Sequence, residues 1–101
     1  MKPIDIFKAL SNETRLQIVE WLKEPEKHFP PSQDINDFEN VGVCVTQFHE
    51  KLNVTQSTAS QHLAILNRAG LVTTSRRGKW TYYKRNEETF QQLKELVEHD
   101  L

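Results

Sequence analysis

The residues best equipped for recognition chemistry fall in one short stretch, NVTQSTASQHLAILNRAG, from Asn53 to Gly70. Stepping about 100° per residue along a helix puts Ala59, Leu63 and Leu66 on one side and Ser57, Gln61, Ala64 and Arg68 on the other. Ser60 falls at the flank of the polar face and Gln56 at its exposed start. Hydroxyl, amide and guanidinium groups on such a face can hydrogen-bond base edges and phosphates in a DNA major groove, and Ala64 can meet a thymine methyl. The same spacing also suits an ordinary amphipathic surface helix, so the neighbouring segments have to decide. Thr55 is placed to cap the first turn, and Gly70 closes the segment where positive φ is wanted.

The chain that must position this stretch has 101 residues, 37% of them apolar, which predicts one small domain with a modest core. No run of about 18 apolar residues and no signal-peptide pattern occurs, so a soluble, cytoplasmic protein without membrane association is expected. The single cysteine, Cys44, excludes an internal disulfide and fits a reducing compartment. A formal net charge of −1 argues at first against nucleic acid. Its distribution reverses that reading: Asn53 to Asn86 carries Arg68, Arg76, Arg77, Lys79, Lys84 and Arg85 without one carboxylate. The acids Glu24, Glu26, Asp34, Asp37, Glu39 and Glu50 lie upstream. A basic, acid-free segment overlapping the polar face is the footprint of a nucleic-acid binder.

Residues 3–10 read as a short helix with Pro3 in its first turn and Ile4, Ile6, Phe7 and Leu10 as an unusually apolar set. Ser11 or Asn12 then caps a second helix with Leu16, Val19 and Leu22 inward and Ile18 and Trp21 widening the stripe. Pro25 ends it, and 25–42 reads as an exposed, acidic, proline-containing insertion that Phe29, Ile35 and Phe38 pin in places. Residues 43–52 are expected to be helical, with Val45, Phe48 and Leu52 inward. The tight link Asn53–Val54–Thr55 then makes a helix-turn-helix with the polar-faced helix. Leu71–Ser75 and Trp80–Lys84 read as a β-hairpin whose turn, Arg76–Arg77–Gly78–Lys79, is basic: a wing. Asn86 opens a last helix with Phe90, Leu93, Leu96, Val97 and Leu101 on a broad apolar face.

The blocks KALSNETRLQIVEWL, TQSTASQHLAILNRAGLV and RRGKWTYYK, in that order, resemble the ArsR/SmtB family of bacterial winged-helix transcriptional regulators. The resemblance spans nearly the whole chain apart from 25–42. It implies a mostly α fold with a small β-hairpin, a winged helix-turn-helix of ααααββα order. It further implies a homodimer joined by first and last helices, here through Ile4, Phe7, Leu10, Phe90, Leu93 and Val97. The expected partner is double-stranded operator DNA, an imperfect palindrome, bound as a repressor. Two reading helices about 34 Å apart would then meet successive major grooves.

Many such regulators answer to metals. In the arsenic-responsive ones a Cys-Val-Cys-x-x-Cys cluster precedes the reading helix, and alignment through the SQHL-type motif puts Cys44, Thr46 and His49 at those places. Only one of the three is a thiol, so Cys44 and His49, with help from His28 or a partner subunit, are what remains of a metal site, and a lone buried cysteine beside a surface histidine is the plainer reading. Cys44 is also the only redox candidate, with Glu39 and Glu50 nearby to disfavour its thiolate. The second family site, on the last helix, corresponds here to Glu87, Thr89 and Asp100 with His99 one place off, which departs from the zinc pattern. His62 lies nearer the apolar side of its helix, which points to packing or capping. No cofactor is expected.

Catalysis is disfavoured by the absence of a nucleophile elbow, a phosphate-binding glycine loop or a zinc-hydrolase spacing, with only three glycines in the chain. A winged helix turned protein-interaction module would be expected to lose the basic wing and polar face that are present here. The reading is therefore a DNA-binding regulator. Gln56, Ser57, Ser60 and Gln61 face the bases; Thr55, Thr58, Arg68, Arg76, Arg77 and Lys79 hold phosphates or the minor groove. A metal- or redox-responsive derepressor using Cys44 and His49 is the alternative. The 25–42 insertion is a candidate for ligand or partner contact, against a tolerated surface insertion.

Overall fold

The polar-faced segment folds into a helix whose ends are set by the residues flanking it. In a computed structural model, which describes residues 2–30, 38 and 40–101, this helix is α5, Gln56–Arg68. Before it come α1 (Pro3–Leu10), α2 (Glu13–Lys23), α3 (Pro25–His28), β1 (Val43–Cys44) and α4 (Val45–Leu52). After it come β2 (Val72–Arg77), β3 (Trp80–Arg85) and α6 (Glu87–His99). The strands form one antiparallel sheet in the order β1-β3-β2. The winged helix-turn-helix is present, with α3 and β1 added to the expected order.

The core lies where α2, α4 and α5 meet the sheet. Ile18, Val43, Phe48, Ala59, Leu63, Leu66 and Leu71 are fully buried there. An aromatic chain crosses it: Trp21 packs edge-on against Phe29 at 5.9 Å, Phe29 against Phe48 at 5.2 Å, and Phe48 against Tyr83 at 6.1 Å. Tilted and edge-to-face rings at these spacings gain quadrupole attraction beyond simple burial.

Several expectations shift. Residues 43 and 44 are a strand rather than the first turn of a helix, because Val43 pairs with Tyr83 and Cys44 with Tyr82 on β3. The stretch from Pro25 is not a plain exposed loop: Pro25 starts the short helix α3, and Phe29, Val41 and Gly42 are buried. The expected anchor Ile35 and the acids Asp34, Asp37 and Glu39 lie outside the described residues. In α2 the buried positions are Ile18, Val19 and Leu22, while Leu16 is exposed. Ile6 and Ala9 bury the inner side of α1, leaving Ile4 and Phe7 facing outwards. Arg76 and Arg77 belong to β2, so the turn is only Gly78–Lys79, with Gly78 at φ 62° in the first central position that a type II′ hairpin gives to glycine. Asn86 stands at the N-cap of α6, yet its side-chain amide donates to Gly70 O at 2.9 Å instead of capping.

Gly42 carries the tightest backbone approach. Its φ is 103°, and a Cβ there would run into the carbonyl oxygen of Tyr83 on β3. Gly78 has open space around it. Gly42→Ala should therefore lower unfolding free energy by about 3 kcal/mol or more, backbone strain and clash together. Gly78→Ala should cost about 1 kcal/mol, from strain alone. Urea titrations of both variants check the contrast.

Candidate nucleic-acid interface

The interface is built from the caps of α5 upward. Asn53 ends α4 in the left-handed region at φ 56°, a conformation asparagine tolerates, and turns the chain into α5. Thr55 Oγ1 accepts from Thr58 N at 3.1 Å and donates to Thr58 Oγ1 at 3.0 Å. At the other end Leu71 N donates to Leu66 O and Gly70 N to Asn67 O, both at 3.0 Å, with Gly70 at φ 79°. These paired bonds are the Schellman closure, and they deliver the chain directly into the wing.

Between the caps, Ala59, Leu63 and Leu66 are fully buried, while Gln56, Ser57, Gln61, Ala64 and Arg68 are exposed. Thr58 and Ser60 are half-buried at the flanks. Ser57 and Gln61 thus share the outer face of the N-terminal half, while Thr55 and Gln56 are exposed at the start of the helix, Gln56 in phase with the inner stripe. Arg68 does not join them. Twelve positions on, it stands roughly 18 Å along the axis from Gln56 at 1.5 Å per residue. There it lines a cleft with Asp5, Lys8, Ala9 and Arg15.

The wing supplies the cations. Arg76 and Arg77 are both exposed, but as neighbours on a strand they point to opposite faces. Arg76 Nε donates to Gly78 O at 3.2 Å, which folds this guanidinium over the turn. Lys79 Nζ lies 5.4 Å from the Trp80 ring centroid, a cation–π placement that holds the ammonium at the tip. Beyond the wing, Arg85 is mostly covered: its guanidinium lies 3.7 Å over the Phe90 ring and its Nε 3.1 Å from Glu87 Oε2.

The metal candidates are separated. Cys44 is buried in β1 opposite Tyr82, and His49 sits half-exposed in the second turn of α4, five positions on. Cys44 N donates to Gln47 Oε1 at 3.3 Å, and Gln47 Nε2 donates to Pro30 O at 2.6 Å, so this corner is occupied by capping bonds. His28 packs near Trp21 instead, with ring centroids 6.5 Å apart. Burial, with Cys44 beside it, pushes the Tyr83 hydroxyl above its ordinary range. Among the described residues no three His, Cys, Asp or Glu side chains are grouped to hold a metal ion. On α6, Thr89 is buried and His99 lies beside Glu98.

Sequence reasoning missed Arg15. Its Nε donates to Ala9 O at 2.7 Å and its Nη1 lies 3.3 Å from His62 Nδ1. His62 is therefore packed against α2, and burial followed by the Arg15 charge lowers its pKa. No local signal marks such a contact, because it joins residues 47 positions apart.

The profile of bacterial regulatory proteins of the arsR family matches residues 42–74, from Gly42 through α4, α5 and the start of the wing. The chain is also 55% identical, over the full length of both proteins, to the HTH-type transcriptional regulator YbzH of Bacillus subtilis. It belongs to the ArsR family. The arsenical resistance operon repressor of Escherichia coli is 34% identical over 82 residues, 81% of this chain and 57% of that protein. Among solved structures, the homodimeric winged helix-turn-helix DNA-binding domain of Mb0332 from Mycobacterium bovis, a possible ArsR-family transcriptional regulator, superposes with a TM-score of 0.64. It is 27% identical, with 94% of this chain and 73% of that one covered. The ArsR-family chain described here is thus a transcriptional regulator, and none of its described helices is long and apolar enough to cross a membrane.

Thr55 is both a cap and a member of the exposed surface, and the two roles can be separated. Thr55→Ala should cost about 1 kcal/mol of stability through the lost cap. Thr55→Asp should restore the stability while weakening DNA binding, since its carboxylate would face phosphate. Thermal melts alongside DNA titrations of the two variants distinguish the roles.

Proposed function

We propose that the chain acts as one winged helix-turn-helix domain, a homodimeric repressor in the cytoplasm that releases or holds a palindromic operator. The observation that carries the reading is the two-sidedness of α5: its inner stripe is fully buried, and its outer N-terminal half presents Ser57 and Gln61, with Gln56 exposed at its start, beside a basic wing. Gln61 and Gln56 have the amide geometry for adenine edges, with Ser57 and Ser60 adaptable to either base pair. Thr55, Thr58, Arg76, Arg77 and Lys79 hold phosphates or the minor groove. Arg68, set apart in the α1 cleft, reaches at most a flanking phosphate.

Dimerisation follows from what the monomer leaves uncovered. Of the 13 residues of α6 only Thr89 is buried, and among the described residues no other element packs extensively against this helix. Val97 is 53% exposed, Ile4 59% and Leu101 80%. Phe90 and Leu93 are only partly covered. Apolar area of this kind on both terminal helices calls for a partner. The homodimeric state of the Mycobacterium bovis domain supports a second copy as that partner. With a single thiol, the chain lacks the three thiolates that an arsenite site needs, so its signal differs from that of the arsenical repressors it resembles.

The test is to select an operator from random-sequence DNA with purified protein and then measure variants on it. Specific binding should have a Kd of about 10⁻⁸ to 10⁻¹¹ M at moderate salt. Gln61→Ala should lose roughly 1–3 kcal/mol on the selected operator and relax preference at one position of each half-site. Arg77→Ala should weaken every sequence alike and reduce the salt slope by about 1. Equal losses across all sequences for Gln61→Ala would remove α5 from base reading.

Val97→Glu tests assembly. Its side chain is largely exposed in the monomer, so the fold should persist. Sedimentation should show a monomer, and operator affinity should fall by about 10²-fold as bivalent binding is lost.

A further inference from the structure

Arg15 occupies the junction of three helices. From α2 it reaches the carbonyl of Ala9, in the last turn of α1, and the ring of His62 on α5. Both contacts use one planar guanidinium, which cannot lose its charge and whose donors are fixed in direction. His62 can accept only while Nδ1 is unprotonated, so the neutral tautomer carries its hydrogen on Nε2.

We propose that Arg15 is a positioning residue for DNA recognition, a bracket that fixes the reading helix α5 against the terminal helix α1, and that protonation of His62 releases it. The inference rests on the reading of α5 as the DNA-reading helix and α1 as a dimerising one. In a two-fold assembly the angle between those helices sets the distance between the two reading helices. A small rotation there misaligns both half-sites at once. Protonation converts a hydrogen bond into two cations in contact. The charged group placed against His62 is Arg15 from α2, and beyond Arg15 stand Asp5 and Lys8 from α1 and Arg68 from α5 itself. These four line one open cleft of ≈ 340 Å³, so the Asp5 carboxylate on α1 shares it with Arg15.

The sign of the effect follows from His62 titrating below its ordinary value in the folded protein. The bracket is complete above the unfolded-state value of about 6.5 and is lost as pH falls through the lower folded-state value. Acidification by itself makes a protein more cationic and strengthens non-specific DNA binding. Specific affinity that falls with acid therefore runs against the general trend.

The experiment compares the wild type with His62→Gln, whose amide oxygen can accept from Arg15 without titrating, on the selected operator at about pH 7.5 and at a pH below the His62 midpoint read by NMR of its ring nitrogens. Circular dichroism and sedimentation confirm fold and dimer at both values. The wild type should lose roughly tenfold in specific affinity at the lower pH, and His62→Gln should hold its affinity. Arg15→Gln should raise the pKa of His62 in the free protein, read by NMR of the ring nitrogens, and shift the preferred half-site spacing. Identical pH profiles for wild type and His62→Gln, or an unchanged spacing preference in Arg15→Gln, overturn the proposal. No DNA binding at pH 7.5 together with the expected His62 titration defeats the DNA-reading conclusion, and the positioning role falls with it.

Discussion

Burial of Ala59, Leu63 and Leu66 is the constraint on which the rest depends. Each leucine contributes about 1.5–3 kcal/mol when removed from water. Turning α5 by a single residue, about 100°, would expose this stripe and drive Ser60 and Asn67, or Thr58 and His62, into an apolar interior. The hydrophobic lock therefore fixes what α5 shows to solvent. Recognition and stability are written on the two sides of one helix, and the exposed side is free to vary without touching the fold.

The wing is held to the same frame chiefly by backbone pairing, with side-chain bonds at its base. β3 is the central strand, paired on one side with β2 and on the other with Val43 and Cys44. Because β1 runs straight into α4, the wing and the first helix of the helix-turn-helix share one sheet. Gly42 allows the close passage to Tyr83 that this pairing needs. The Schellman closure at Gly70 and the Asn86 bond to Gly70 O tie the base of the wing to the end of α5 and the start of α6. Wing cations and reading face are thus set at a fixed spacing.

What was legible in the sequence was local. Thr55 as a cap, Gly70 as a stop and the inner stripe of α5 follow from patterns within a few residues and stand as read, as does the hairpin apart from its shorter turn. What was not legible depended on partners far along the chain. Val43 and Cys44 fit a helical period, and only pairing with β3 makes them a strand. Leu16 fits the apolar period of α2, yet the core lies nearer Ile18, so the stripe is rotated. Pro25 stops one helix and also starts another, and sequence reading credits it with only the first. Phe29, read as a pin, is the hinge of the aromatic chain. Arg15 looks like any solvated arginine until His62 arrives from 47 positions away.

The polar contacts of Arg15 gain meaning from what surrounds them. α1 buries only Ile6 and Ala9, a thin apolar attachment for a helix that must hold its orientation. Ile6 and Ala9, with Leu10 packed partly beside them, limit translation but resist rotation poorly, since dispersion has little directional preference. A guanidinium bonded to a carbonyl on one helix and a ring nitrogen on another does resist it, because hydrogen bonds weaken steeply away from linearity. The packing thus brings α1 and α5 together, and the bracket sets the angle between them. A directional contact made by a group that can gain a proton is also the least robust part of that angle. The same structural logic makes it the place where the two helices can be uncoupled without disturbing the buried stripe beneath them.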